Sequence, residues 1–255
     1  MHALRALLLG SAAAIAPLPL LAQTEWPIHS MDRPQPPLVK PAPPVAPTPP
    51  PSDAMVLFSG GTLAAWEGQR GGPARWHATR ERFEVVPGTG AIRTKAAFGD
   101  AQIHLEWRSP VPARGDGQDR GNSGVFLMGR YEIQLLDSYQ NRTYPDGQAA
   151  AVYGQHPPLV NASRPPGQWQ TYDIVFRRPR FDASGAVVSP ARVTLLHNGI
   201  VVQDAVALTG PVAHGAWPPY ERHADRLPLS LQDHGHRVQF RNVWVRSLEE
   251  APGRN

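Results

Sequence analysis

Two acids and an amide lie close together between Gly121 and Tyr139, at a spacing that could place them around one small molecule. Glu132 and Gln134 are two residues apart, and Asp137 follows three residues later. Side chains two residues apart in a strand share a face, and the intervening hydrophobic residues then face a core. Burying such polar groups without partners costs roughly 2–7 kcal/mol each. We therefore predict that this polar face is wetted and forms a site.

The same segment has the pattern of a hairpin. Alternating hydrophobic residues on either side of Gly129–Arg130 predict two antiparallel strands joined by a tight turn. Asn122 and Ser123 would then lie beside Glu132, on the neighbouring strand. There they could hydrogen-bond a ligand or, alternatively, stabilise a turn.

The elements that must position these groups are all strands. Residues 102–108 alternate, with Glu106 and Arg108 on the polar face, and an Asn198–Gly199 pair predicts a hairpin turn. No segment has a helical period. Many short strands separated by turn signals predict an all-β fold, a β-sandwich or jelly roll with a concave face open to ligand.

The N-terminal region is predicted to lie outside this domain. Arg5 precedes an apolar run that is followed by the small residue Ala22, which is typical of a secretory signal peptide. The run is shorter than the roughly 20 residues that a membrane anchor needs. Proline-rich sequence follows and favours an extended, unpacked chain. The predicted organisation is a signal peptide (1–22), a disordered proline-rich linker (23–53), one domain (54–248) and a tail (249–255).

Composition narrows the classes of function. The chain has no cysteine, which excludes disulfides and a lipid-modified anchor, and its formal net charge is +4. The arginines are scattered among acids rather than clustered, so we expect no nucleic-acid partner. We expect a periplasmic or secreted protein with no stable membrane insertion after signal cleavage.

Short motifs follow one another in a fixed order along nearly the whole predicted domain. They are Leu57–Gly60 through Trp66, Leu105–Arg108, Asn122–Leu127, Tyr131–Asp137, Tyr153–Gly154, Pro166–Trp169, His197–Gly199, Leu231–Gly235 and Phe240–Val243. With this ordered set the chain resembles the 3-keto-disaccharide hydrolase family, formerly a domain of unknown function, whose fold is a concanavalin-like jelly roll. The chain departs from the family at Gln170, where relatives often have asparagine, and in the loops 110–121 and 214–226, which would frame the site.

The resemblance implies cleavage of 3-keto-glycosides or 3-keto-disaccharides by elimination across C1–C2 and hydration. Such chemistry needs a base, an acid for the leaving oxygen and positive charge at the enolate oxygen. His234 is the natural base, since imidazole ordinarily titrates near neutrality, and Glu132 is the competing base. Asp137 or Asp233 could orient His234, and Arg108 could face the enolate. A purely structural His234 is the alternative.

The predicted site follows from these roles. The catalytic candidates are His234, Glu132 and Asp137, and Trp217 is an alternative to Tyr139 for stacking on a sugar ring. A divalent metal ion is the alternative to arginine as electrophile. Its candidate ligands are Glu106, Glu132, Asp137, His234 and His236. The residues expected to bind the substrate are Glu106, Arg108, Asn122, Ser123, Gln134, Tyr139, Gln232 and Asp233.

Two other functions fit the same residues. The protein could be a carbohydrate-binding module without catalysis, similar to a lectin. It could also be a retaining glycosidase, in which Glu132 and Asp137 would supply carboxyl groups about 5–5.5 Å apart. If the protein cleaves 3-keto-glycosides, its expected partners are a small carbohydrate substrate and a separate upstream sugar oxidoreductase.

Overall fold

The computed structural model describes residues 26–44, 46–47 and 49–249. The predicted signal peptide and all of the predicted tail except Glu249 lie outside the described residues. Within the described residues the regular elements are strands, apart from one 3₁₀ turn at Pro145–Gly147. No helix in this part of the chain is long and apolar enough to cross a membrane. The all-β prediction is confirmed.

The larger sheet has eight strands, in the order β13-β12-β9-β6-β15-β4-β3, with β1 also paired to β15. All of these pairings are antiparallel. Its strands are β1 (Met55–Phe58), β3 (His77–Ala78), β4 (Phe83–Glu84), β6 (Ala101–Arg108), β9 (Gln170–Arg177), β12 (Arg192–His197), β13 (Ile200–Ala207) and β15 (Gln239–Ser247).

The smaller sheet has five antiparallel strands in the order β2-β5-β14-β7-β8. The predicted hairpin is formed by β7 and β8 at one edge of this sheet. A separate ribbon joins β10 (Arg180–Phe181) to β11 (Val187–Ser189). The five strands are β2 (Trp66–Gly68), β5 (Ile92–Phe98), β7 (Ser123–Leu127), β8 (Tyr131–Leu135) and β14 (Leu227–Leu231).

The core lies between the two sheets. Leu105 and Trp107 of β6 and Ile133 and Leu135 of β8 are at most 1% exposed and belong to one hydrophobic cluster. Full burial of such a side chain stabilises the fold by roughly 1.5–3 kcal/mol. Because side chains alternate along a strand, the polar residues of β6 and β8 point away from this core, on the two opposite outer faces of the sandwich.

Residues 26–53, which we call the N-terminal arm, differ from the disordered linker that their composition predicts. The arm lies along the domain. Leu38 forms a parallel bridge with Asn161, and the Gln35 side-chain amide donates to the Thr143 carbonyl over 3.0 Å. Proline lacks an amide donor but keeps its carbonyl. At the bridge, the Pro37 carbonyl accepts from the Asn161 N–H over 2.8 Å, and the Val39 N–H donates to the Asn161 carbonyl over 3.0 Å.

Candidate active site

A cavity of about 280 Å³ opens on the outer face of the five-stranded sheet. Glu132 and Gln134 of β8 form part of its wall, as the alternation of the hairpin predicts. His234 lies at the same cavity, brought there by the loop that follows β14. The full lining consists of Asn122, Phe126, Glu132, Gln134, Tyr153, Val212, Ala213, His214, Gln232 and His234.

Local sequence explains why an acid fits at this position. In the β7–β8 ladder Glu132 lies opposite Phe126, and Gln134 lies opposite Gly124. A Cβ atom at Gly124 would collide with the Glu132 carboxyl group. The glycine therefore leaves the space that the carboxyl occupies.

Glu132 is a buried acid without a cationic partner among the described residues. It is 5% exposed, and burial raises the pKa of its carboxyl to about 8. Desolvation has this effect because it disfavours the charged form of an acid. The face predicted to be wetted is therefore recessed, and the fold holds Glu132 mostly protonated at neutral pH.

The Gln134 amide contacts the Glu132 carboxyl directly. In the orientation that satisfies its neighbours, Gln134 Nε2 donates to the Ser123 carbonyl over 3.1 Å and to Glu132 Oε1 over 3.3 Å. The Gln118 side chain lies beside the same amide and donates to the Gly147 carbonyl over 2.8 Å. The amide therefore engages one oxygen of the carboxyl and leaves the other oxygen to carry the proton.

His234 lies at the rim of the cavity and is exposed to solvent. Its ring is nearly parallel to that of His236, with ring centroids 6.1 Å apart, and His236 Nε2 lies 3.3 Å from an Asp119 carboxylate oxygen. The Asp233 carboxylate, expected to orient His234, has both of its oxygens bonded to backbone N–H groups. Asp233 accepts from the backbone N–H groups of Gly90 and Gly235, so it shapes the loop that carries His234.

Aromatic side chains lie at another part of the cavity wall, and no role was predicted for them from the sequence. The hydroxyls of Tyr144 and Tyr153 are 2.7 Å apart, and Tyr153 lies 3.3 Å from His214 Nδ1. Burial raises the pKa of Tyr153, which keeps the hydroxyl protonated. The ring of His29, from the N-terminal arm, packs on Tyr144 with a centroid distance of 4.0 Å.

Glu106 and Arg108 do not belong to this site, contrary to prediction. Both project from β6 on the outer face of the eight-stranded sheet, and the core separates them from Glu132. Glu106 accepts two bonds of 2.7 Å from Arg241, and Arg108 stacks over the Trp169 ring at 4.6 Å. Period-2 alternation correctly assigned Glu106 and Arg108 to the polar face of β6. That face belongs to the eight-stranded sheet, whereas Glu132 lies on the five-stranded sheet.

Asp137 is not a partner for Glu132. It is 3% exposed, bonds to Arg120 over 2.9 Å and accepts from the Tyr139 backbone N–H. Neither Asp137 nor the Tyr139 ring lines the cavity, so the structure does not support a retaining pair of these acids.

The remaining residues that were predicted to bind the substrate differ in whether they line the cavity. Asn122 and Gln232 line the cavity, and Gln232 has a side-chain oxygen without a hydrogen-bond partner among the described residues. Ser123 is fully buried and donates to the Gln232 carbonyl over 2.8 Å, so it supports the wall instead. Trp217 bonds to the Gly154 carbonyl and is not part of the lining.

The five candidate metal ligands are not gathered in the structure. Glu106 lies on the other sheet, and Asp137 is held by Arg120. Within the described ranges, no group of three or more histidine, aspartate or glutamate side chains could hold a metal ion.

Comparison with known proteins agrees with this architecture. The profile of a family described as "3-keto-alpha-glucoside-1,2-lyase-like domain" matches residues 53–246. A crystal structure from Parabacteroides distasonis ATCC 8503, described as a "putative glycosyl hydrolase", is 41% identical. It has a TM-score of 0.76, with 83% of this chain and 94% of that chain covered.

A second structure with the same description and organism shares the fold at 18% identity. Its TM-score is 0.56, over 77% of this chain and 94% of that one. No match is found among curated proteins.

Proposed function

The chain belongs to the family of 3-keto-alpha-glucoside-1,2-lyase-like domains, and from this premise we propose that it cleaves 3-keto-glycosides by elimination and hydration. One observation carries the proposal. A protonated buried carboxyl, Glu132, and an accessible imidazole, His234, line the same cavity. An elimination needs an acid and a base of this kind around one sugar ring.

In the first step, His234 acts as the base and removes the proton from C2 of the sugar. The C3 ketone makes this proton acidic, because the electron pair moves onto the ketone oxygen as an enolate. When the enolate collapses, the C1–O bond breaks and Glu132 gives its proton to the leaving oxygen. The products are an alcohol and an unsaturated ketone, with His234 protonated and Glu132 ionised.

In the second step, the same two groups exchange roles. The Glu132 carboxylate takes a proton from water as its oxygen adds to C1, and protonated His234 returns a proton to C2. The net reaction consumes one water and gives a 3-keto sugar and an alcohol. Both residues end in their starting protonation states.

Tyr153 is the donor that faces the enolate oxygen in this scheme. It takes the role expected of Arg108, which lies on the opposite outer face. Its hydroxyl stays protonated because burial raises its pKa, and a protonated buried hydroxyl can stabilise an oxyanion by hydrogen bonding. The hydroxyl of Tyr144, 2.7 Å away, holds it in place.

The test is a reaction in heavy water with purified protein and a 3-keto-disaccharide. Elimination predicts cleavage with one deuterium incorporated at C2 of the product sugar, measured by mass spectrometry. The Glu132→Gln and His234→Gln variants should lose cleavage, and product incubated with either variant controls for spontaneous exchange. Cleavage without deuterium, or equal cleavage of the unoxidised disaccharide, would contradict the proposal.

A pure binding protein gives a different result in the same experiment. It would bind carbohydrate without turnover, and the two substitutions would leave its affinity unchanged. We also propose that the protein acts after export, in the periplasm or outside the cell. There it would work on ketones made by a separate sugar oxidoreductase.

A further inference from the structure

His29 of the N-terminal arm packs behind the aromatic part of the cavity wall, although it does not line the cavity itself. Its ring centroid lies 4.0 Å from that of Tyr144, 5.0 Å from that of Tyr153 and 5.4 Å from that of His214. Tyr153 and His214 line the cavity, and Tyr144 is hydrogen-bonded to Tyr153. One ring of the arm therefore contacts all three members of this part of the wall.

The backbone at His29 is fixed by a buried acid. Its N–H donates to Asp146 Oδ2 over 3.0 Å, and Asp146 is 1% exposed. His29 has a φ of +60°, a left-handed conformation that a residue with a side chain keeps where surrounding contacts determine it. Gln35 anchors the arm nearby through hydrogen bonds with Thr143 and Gln148. A fixed segment of backbone therefore holds the His29 ring against the wall.

The side chain of His29 acts through packing. It is 14% exposed, and neither ring nitrogen has a hydrogen-bond partner among the described residues. The nearest acidic atom, Asp146 Oδ1, lies 3.5 Å from His29 Nδ1 and also has no hydrogen-bond partner in this part of the chain. Aromatic rings stabilise one another at the centroid distances seen here. A phenyl ring should therefore be able to take the place of the imidazole.

The position of Tyr153 depends on this packing. Its hydroxyl is placed by Tyr144 at 2.7 Å and by His214 Nδ1 at 3.3 Å, and both of these partners also pack on His29. Loss of the His29 ring would therefore loosen the Tyr153 side chain and its two partners together. A shift of about 1 Å in a catalytic group can cost about 10²-fold in rate.

We propose that His29 is a positioning residue of the active site, whose ring holds Tyr153 in place at the cavity wall. The inference rests on the proposed function, in which Tyr153 donates to the enolate oxygen. His29 supplies no reacting group, since it does not line the cavity. The N-terminal arm is then part of the machinery of the reaction and not a spacer.

The first test uses two substitutions of His29 in the full chain. His29→Gly deletes the ring and keeps the backbone conformation, because glycine adopts positive φ without strain. We expect it to lower kcat for a 3-keto-disaccharide about 10–100-fold with KM changed less than about twofold. His29→Phe should stay within about threefold of the wild type. Leu38→Ala is the matched control on the arm, because that side chain is 78% exposed and the bridge beside it uses backbone groups.

A double-mutant cycle separates positioning from a general loss of stability. In a Tyr153→Phe background, His29→Gly should lower kcat less than about threefold, because the hydroxyl that it positions is already absent. A loss as large in this background as in the wild type would overturn the proposal. Unchanged kcat in His29→Gly, or equal losses in His29→Gly and His29→Phe, would overturn it as well.

Tyrosinate absorbance tests the positioning without any turnover. Burial raises the pKa of Tyr153, so one tyrosine should ionise at lower pH once the His29 ring is deleted and water enters. The shift should be missing when His29→Gly is combined with Tyr153→Phe, and His29→Phe should titrate like the wild type. Tyr144, Glu132 and Asp146, which also act on the pKa of Tyr153, are present in all these variants.

The two readouts distinguish the possible failures. A wild type that turns over no 3-keto-glycoside, together with this shift in His29→Gly, would refute the proposed function and still support the positioning of Tyr153. Identical titration curves for wild type and His29→Gly would overturn the positioning role of His29.

Discussion

The protonation of Glu132 makes the sharpest prediction about the reaction. Burial moves the pKa of Glu132 from its ordinary value of 4.5 to about 8. At roughly 1.36 kcal/mol per pH unit, ionising this carboxyl in the fold costs about 5 kcal/mol more than in water. At pH 7 about nine tenths of the molecules therefore carry the proton that the proposed elimination would transfer to the leaving oxygen.

We expect kcat/KM for a 3-keto-disaccharide to fall above about pH 8, roughly tenfold per pH unit, as Glu132 loses its proton. Glu132→Gln should lower kcat/KM by about 10²–10⁴, the usual contribution of a general acid. The loss should be below about tenfold for a 3-keto-glucoside with p-nitrophenol as leaving group, because this phenol leaves without protonation.

Two measurements check these expectations. Initial rates from pH 5 to 10 give the profile, with enzyme stability confirmed at each pH. Infrared difference spectra should show a protonated carboxyl band that titrates near pH 8 and is missing in Glu132→Gln. A profile that rises through pH 8 would make Glu132 the base, and an equal loss on both leaving groups would refute its role as acid.

Three further predictions follow from contacts around the site and on the opposite sheet. Gln134→Leu removes the amide N–H that donates to Glu132 and favours its charged form, so the alkaline limb of the pH profile should move to higher pH. Tyr153→Phe should lower kcat by about 10²–10³ with little change in KM, measured on the same substrate, because it removes a donor to the enolate. For His104, burial alone would lower the pKa of the imidazole, but hydrogen bonds and charges from Asp173 and Glu106 raise it to about 9. Its stabilising contribution, at most about 3 kcal/mol, should be present below pH 6.5 and lost as pH rises through 9. Urea unfolding of wild type and His104→Gln across this range measures it.

The hairpin shows how far local sequence reasoning reaches. Alternation assigned Glu132 and Gln134 to one face of β8, and the fold places both at the cavity. The same rule applied to β6 selected Glu106 and Arg108, which face away from the core as expected. Alternation gives the face of a strand but not the sheet to which the strand belongs. The pairing order decides the sheet, and pairing partners are distant in sequence.

The polar residues outside strands were harder to predict for a related reason. Asp137 and Asp233 have the chemistry of catalytic acids, but their carboxylates bind an arginine and backbone N–H groups. Gln118 and Tyr153 are important because of partners in other segments, and nothing in their local sequence marks those partners. His234 was predicted from the chemistry that the family resemblance implies, because imidazole is a natural base near neutral pH.

The N-terminal arm contacts residues in the 140s, which lie more than 100 positions away in sequence. Gln35 meets Thr143 and Gln148 across 108 and 113 positions, and His29 meets Asp146 across 117. The family match begins at residue 53, so domain limits drawn from it would cut between these partners. Substitutions in the arm and in the 140s must therefore be compatible with each other. A chimera that takes the domain of a relative would therefore need the N-terminal arm of that relative as well.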